Sequence, residues 1–239
     1  SAALADRILP LEGDPAGRVV LAVLAGGDRA DPDGLVAALT APGVAPASDV
    51  LGAALLLLEQ HRRPDLLLRL LEHHLDRLED GPFVRLVRLG SQSERPERVV
   101  RYLERRPVSI HEHPELVVHG ALAGHADSLA AVRTAPERDT AVARSWRALT
   151  VAVLDDAPPT IVADAATAVL RSAPRSGLAL VLAAEAWLEL GEVRRAEALA
   201  LRALEAEPFW SRPRFLRGLV RARRPVPEAP GAGGDAPIA

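Results

Sequence analysis

The chain has 239 residues, 29 basic and 32 acidic, for a net charge of −3, and it contains neither Cys nor Met. The charge argues against a generic nucleic-acid binder, and the lack of Cys excludes disulfides, thiolate nucleophiles and thiolate metal sites. Half of the residues are apolar but only 3% are aromatic; the strong helix formers Ala and Leu fill that quota and point to an all-α chain. Every basic residue is Arg, and Asn is absent as well as Lys. Both missing residues have A-rich codons, so a GC-rich bacterial genome is the plain reading and an arginine-specific function the sharper one. The missing Met fits a processed, tag-cleaved or excised chain. No apolar run reaches the ~18–20 residues of a membrane span, no signal peptide is visible, and the expected location is cytoplasmic.

In chain order, "GRVVLAVLAGG" (17–27) reads as a short helix rather than a buried strand because of its Ala and Leu content. A second short helix is expected near 32–40 between Gly and Pro turns. Residues 1–47 thus form a cap of short helices and loops. "SDVLGAALLLLEQH" (48–61) is a helix capped by Ser48 or Asp49. "PDLLLRLLEHHLDRLED" (64–80) is its partner, opened by Pro64, with Leu67, Leu71, Leu75 and Leu78 on one stripe. The remaining stretches repeat one plan: apolar helix end, polar turn, apolar-faced helix, closing Pro. They are 86–107, 121–136, 152–174 and 186–208, closed by Pro107, Pro136, Pro174 and Pro208 at steps of 29, 38 and 34 residues. In the last copy Gly191 suits a left-handed helix end. Val193, Ala196, Ala200 and Ala203 share one face of the following helix. The tail 225–239 is rich in Pro, Gly and Ala and is expected to be disordered alone.

Trp146 and Leu149 in one copy, and Gly191, Ala196, Ala203 and Pro208 in the next, resemble the tetratricopeptide repeat pattern. The resemblance covers about 143–210 well, back to 82 fairly, and earlier residues weakly. It implies a right-handed α-solenoid of about five degenerate helical hairpins over 48–224, because a lone hairpin cannot bury its apolar face. It also implies a non-catalytic scaffold or adaptor that binds a protein or peptide in a concave groove, with no cofactor and no nucleic acid. In that family the first helix of each repeat lines the groove. The corresponding positions are Arg144, Arg147, Val151 and Leu154, then Leu178, Val181, Glu185 and Leu188. Arg144 and Arg147, three residues apart, are placed to hold a partner's acidic group or C-terminal carboxylate. The competing reading is that they pair with acids of a neighbouring helix.

Three further features have two readings each. His111, His113 and His119, with Glu115, suggest a divalent metal site, but the spacing matches no known ligand motif and Glu115–His119 also reads as an exposed i,i+4 pair. The Arg residues of 85–106 are interleaved with Glu94, Glu97 and Glu104 and read as a solvated face with pairs along each helix. "FWSRPRFLRGLVRARR" (209–224) is either a final capping helix that buries Phe215, Leu216, Leu219 and Val220, or a docking patch built on Trp210, Arg212, Arg214, Arg217 and Arg221. Two other functional classes stay open: a regulatory or sensor module of a larger protein, and an enzyme or metalloprotein using the 111–119 region.

Overall fold

The computed structural model describes residues 15–26, 31–93, 95–134 and 139–223. The expected disordered tail, the first residues of the N-terminal cap and Pro136 lie outside the described residues. Among the described residues all regular structure is helical, and no helix is long and apolar enough to cross a membrane. The helices are α1 (Pro15–Gly26), α2 (Pro32–Leu39), α3 (Ser48–Gln60), α4 (Pro64–His73), α5 (Asp80–Gln92), α6 (Pro96–Arg105), α7 (Pro114–Leu122), α8 (Ala126–Arg133), α9 (Ala141–Leu154), α10 (Pro159–Ser172), α11 (Gly177–Glu189), α12 (Val193–Ala206) and α13 (Ser211–Arg223). Packing divides the chain into two compact units, Ser1–Ala157 and Pro158–Ala239; the division falls inside the expected 48–224 repeat region.

In the first unit the principal contacts are local. α1 packs on α2 and α3, α2 on α3 and α4, and α3 on α4. α4 then packs on α5, α5 on α6 and α7, α6 on α7, α7 on α8 and α9, and α8 on α9. Proline opens α2, α4, α6 and α7, where its missing N–H costs no intrahelical bond. Asp31 caps α2 by accepting from Gly34 N at 2.9 Å, and Thr140 caps α9 by accepting from Ala143 N at 3.1 Å. α3 differs from expectation: Ala47 is its N-cap, with no side-chain bond, and Ser48 lies just inside. α4 is also shorter than the Leu stripe predicts. It ends at His73, and Leu75–Arg77 form a 3₁₀ turn because Leu78 must turn extended to lead into α5. Leu75 and Leu78 are buried all the same. Phe83, Tyr102 and Trp146 are the largest fully buried side chains, each worth a few kcal/mol by area. α7 approaches α6 and α8 closely at Gly120, where a Cβ would meet Leu103 and Ser128.

In the second unit α10 packs on α11, α11 on α12 and α13, and α12 on α13. Ala163, Ala166, Ala196, Ala200 and Ala203 are completely buried, so small side chains bring these helices together as the sequence predicts. Ser176 caps α11 by accepting from Ala179 N at 3.3 Å.

One backbone feature recurs. The turn after α3 holds Arg62 at φ +54°, that after α7 Gly124 at +88°, that after α9 Asp156 at +51°, and that after α11 Gly191 at +80°. Each follows the C-terminus of a helix, where a left-handed residue closes the last turn; Gly43, after α2, is left-handed as well, at +81°.

Candidate functional site

The groove positions inferred from the resemblance fare differently from one another. Arg144 is exposed and forms no ion pair among the described residues. Arg147 is 9% exposed, and its Nη1 lies 2.5 Å from Oδ2 of Asp139, itself a buried carboxylate. The approach is not aligned as a hydrogen bond, so it acts as a close ion pair, with Nε and Nη2 of Arg147 and both Asp139 oxygens left without hydrogen-bond partners. Arg147 therefore meets an acid of its own chain, though one in the segment leading into α9 and not on a neighbouring helix. Val151 and Leu154 are half-buried, and Leu154 packs against the core of Ile110, Val117, Ala121, Val132 and Ala143. Val181 is completely buried, Leu178 and Leu188 nearly so; with α10, α12 and α13 packed around α11, they offer no surface to a partner. Glu185 accepts two bonds from Arg212, from Nε and Nη2, each at 2.6 Å.

The three histidines of the 111–119 region have separate tasks. His111 is exposed, with Nδ1 3.9 Å from Asp139 Oδ1. His113 stands at the N-cap of α7 without a side-chain capping bond. His119 is buried, its Nδ1 2.9 Å from Ser91 Oγ and its Nε2 without a hydrogen-bond partner. Burial holds its pKa down to about 4, against the opposing pull of Glu115, so the ring is neutral near pH 7. Glu115 receives Arg88 Nη2 at 2.5 Å. The pair Glu115–His119 is thus an inward-facing cluster between α5 and α7 rather than an exposed one. Among the described residues no group of three or more His, Asp or Glu side chains has a metal-holding arrangement.

The arginines of α6 also depart from expectation. Their partners are acids about one repeat upstream, not the interleaved Glu residues. Glu72 Oε1 lies 3.2 Å from Arg101 Nη2 and 3.7 Å from Arg98 Nε, and it accepts the Tyr102 hydroxyl. Arg105 pairs with Asp76 at 3.4 Å, and Arg106 pairs with Asp80. Burial, then the bond to Glu72, pushes the Tyr102 hydroxyl well above the ordinary tyrosine range. A depression of about 450 Å³ lies here, lined by Thr40, Arg69, Glu72, His73, Arg101 and Arg105 among others. Most of its charge is already matched internally.

On α13, Leu216 and Val220 are buried as a capping helix requires, but Phe215 is 66% exposed and Leu219 is exposed. Of the suggested docking patch, Trp210 is buried, Arg212 is held by Glu185, and Arg214 donates to Pro208 O at 2.6 Å. Arg217 is half-buried with Nε unpartnered, and Arg221 is exposed. The five do not present one common face.

A second depression, about 370 Å³, lies in the second unit among α10, α11 and α12. Its floor holds Leu170, Ala183, Trp187 and Leu199; Arg171, Arg195 and Arg202 stand around it. The Arg195 guanidinium lies over the Trp187 ring, 3.6 Å from its centroid. None of these residues is a sequence-predicted site residue. The one local signal of the site is a Trp and an Arg on opposite sides of the Gly191 turn, and only the turn geometry stacks them. In comparison with known proteins, the chain matches no family model and no curated protein.

Proposed function

We propose that the chain is a non-catalytic scaffold that binds a protein or peptide on a stack of helical hairpins of the tetratricopeptide type. The observation that carries this reading is the recurrence of one helix end: a left-handed residue follows α2, α3, α7, α9 and α11 at Gly43, Arg62, Gly124, Asp156 and Gly191. Helix starts support it. The first helices begin at Pro15, Ser48, Asp80, Pro114, Ala141, Gly177 and Ser211, and the early second helices at Pro32, Pro64 and Pro96. The period therefore continues into residues where the sequence resemblance is weak. Within each unit the principal contacts join near neighbours, as a repeat array needs, and such arrays offer extended binding surfaces.

The test is affinity capture of the tagged chain from its source, followed by calorimetry of the purified pair. A stoichiometric partner whose binding survives with purified components supports the scaffold. Turnover of a small molecule by the purified chain, with no such partner, overturns it.

A further inference from the structure

We infer that the second unit captures a short acidic peptide carrying an apolar side chain, at the depression bounded by α10, α11 and α12. The inference rests on the scaffold reading but moves the contact surface. α10 and α12 are second helices of their pairs, whereas the resemblance places the groove on first helices, and on α11 those positions are buried or paired.

Charge complementarity points to the occupant. Ten arginines are in ion pairs with carboxylates of the chain: Arg63, Arg85, Arg88, Arg98, Arg101, Arg105, Arg106, Arg133, Arg147 and Arg212. Arg171, Arg195 and Arg202 are in none among the described residues, and no acid lines the depression they surround. Other described arginines also lack an ion pair, but in a chain with more acids than bases these three stand together around one acid-free depression with an apolar floor. Arg202 is partly committed, since its Nη2 donates to Pro174 O at 2.9 Å. The Arg195 guanidinium carbon sits over the Trp187 ring, a placement that pairs a cation with an aromatic face and is compatible with N–H donation to a carboxylate. Arg171 is exposed and unpaired. Trp and Arg are the residue types that dominate protein-binding hot spots. Leu170 and Leu199, half-buried beside Trp187, would take the apolar side chain while Arg171 and Arg195 take flanking carboxylates.

Trp187 also supplies the readout. Trp146 and Trp210 are buried, whereas Trp187 is only half-buried, so its indole N–H resonance in the ¹⁵N-labelled full chain reports on this site. The probes are end-blocked hexapeptides with Leu or Phe between Glu and Asp, their Gln and Asn counterparts, and a ten-nucleotide oligouridylate. The acidic peptides should move the Trp187 signal with little change at Trp146 or Trp210. The Gln/Asn peptides, and the exposed-site variant Arg171→Ala with Arg195→Ala, should each weaken binding by about tenfold or more, with circular dichroism unchanged. Equal binding of the neutral peptides, or a still Trp187 signal, overturns the site. Tighter response to oligouridylate overturns it in favour of nucleic acid, and a Trp187 shift that follows protein concentration alone overturns it in favour of self-association. If peptides move resonances elsewhere but not here, this site fails and the scaffold reading stands.

Discussion

Arg212 grips Glu185 through two bonds of 2.6 Å, Nε to one carboxylate oxygen and Nη2 to the other. The pair ties α13 to α11, and Arg223 Nη1 adds a bond to Leu188 O at 3.0 Å. Both partners of the ion pair are partly exposed, so solvent screens it, yet its fork geometry is the favourable one. A double-mutant cycle of Arg212→Ala and Glu185→Ala, followed by urea unfolding, should give a coupling of about 0.5–1 kcal/mol that shrinks in high salt. No measurable coupling at low salt would show that this ion pair adds nothing to the hold of α13 on α11.

The recurring left-handed turns give a prediction with a sign. A non-glycine residue at positive φ is strained by roughly 1–2 kcal/mol, less for Asp, whose short side chain tolerates it better. Glycine removes that strain but adds about 0.5–1 kcal/mol of unfolded-state entropy. Arg62→Gly should therefore stabilise by about 0.5–1 kcal/mol, Asp156→Gly should be closer to neutral, and Gly191→Ala should destabilise by about 1 kcal/mol. Thermal unfolding of the three variants checks the order. An Arg62→Gly variant less stable than its parent would mean that the turn is not strained.

These turns also mark how far the sequence could be read. Gly191 and the Ala face of α12 were legible because helix ends and small-residue faces are local signals. Arg62 and Asp156 hold the same backbone with residues that carry no such signal, so those copies of the hairpin look degenerate in sequence. The groove register was not legible. Val181 is buried by helices packed around it, and Arg101 meets an acid 29 residues upstream; such pairings follow from stacking, which composition and spacing do not encode. Trp187 and Arg195 were hidden for the same reason.

His119 should make the fold acid-sensitive. Its folded pKa, about 4, lies below the ordinary value of 6.5, so between these pH values the unfolded chain holds a proton that the folded chain rejects. Stability is intact above the unfolded pKa and is lost as pH falls from about 6.5 toward 4, by on the order of 3 kcal/mol. His74, lowered mainly by burial while its ring bonds Leu39 O at 3.0 Å, adds a loss of the same sign. His119→Gln, which can keep the bond to Ser91, should flatten most of the drop between pH 7 and pH 5 in urea midpoints. A variant with the parent's full pH slope would assign the sensitivity elsewhere.

The Asp139–Arg147 pair supplies the most severe test, because its two charges are buried with hydrogen-bonding capacity left over. Desolvation is expensive for both ions, and their attraction offsets it only while both are present. Asp139→Ala leaves the buried Arg147 guanidinium uncompensated, and it should destabilise the fold by about 3–5 kcal/mol. His111, whose ring lies 3.9 Å from Asp139, carries no negative charge and cannot replace the carboxylate. Replacing both ions by apolar residues, Asp139→Leu with Arg147→Met, removes the buried charges together and should recover stability to within about 1 kcal/mol of the parent. The comparison also separates structure from binding: if Arg147 held a partner's carboxylate, as the resemblance implies, the apolar pair would fold but lose that partner. Urea unfolding of the single and double variants reads the first effect. A single variant as stable as the parent would mean that Arg147 finds solvent, and that the buried pair does not organise the start of α9.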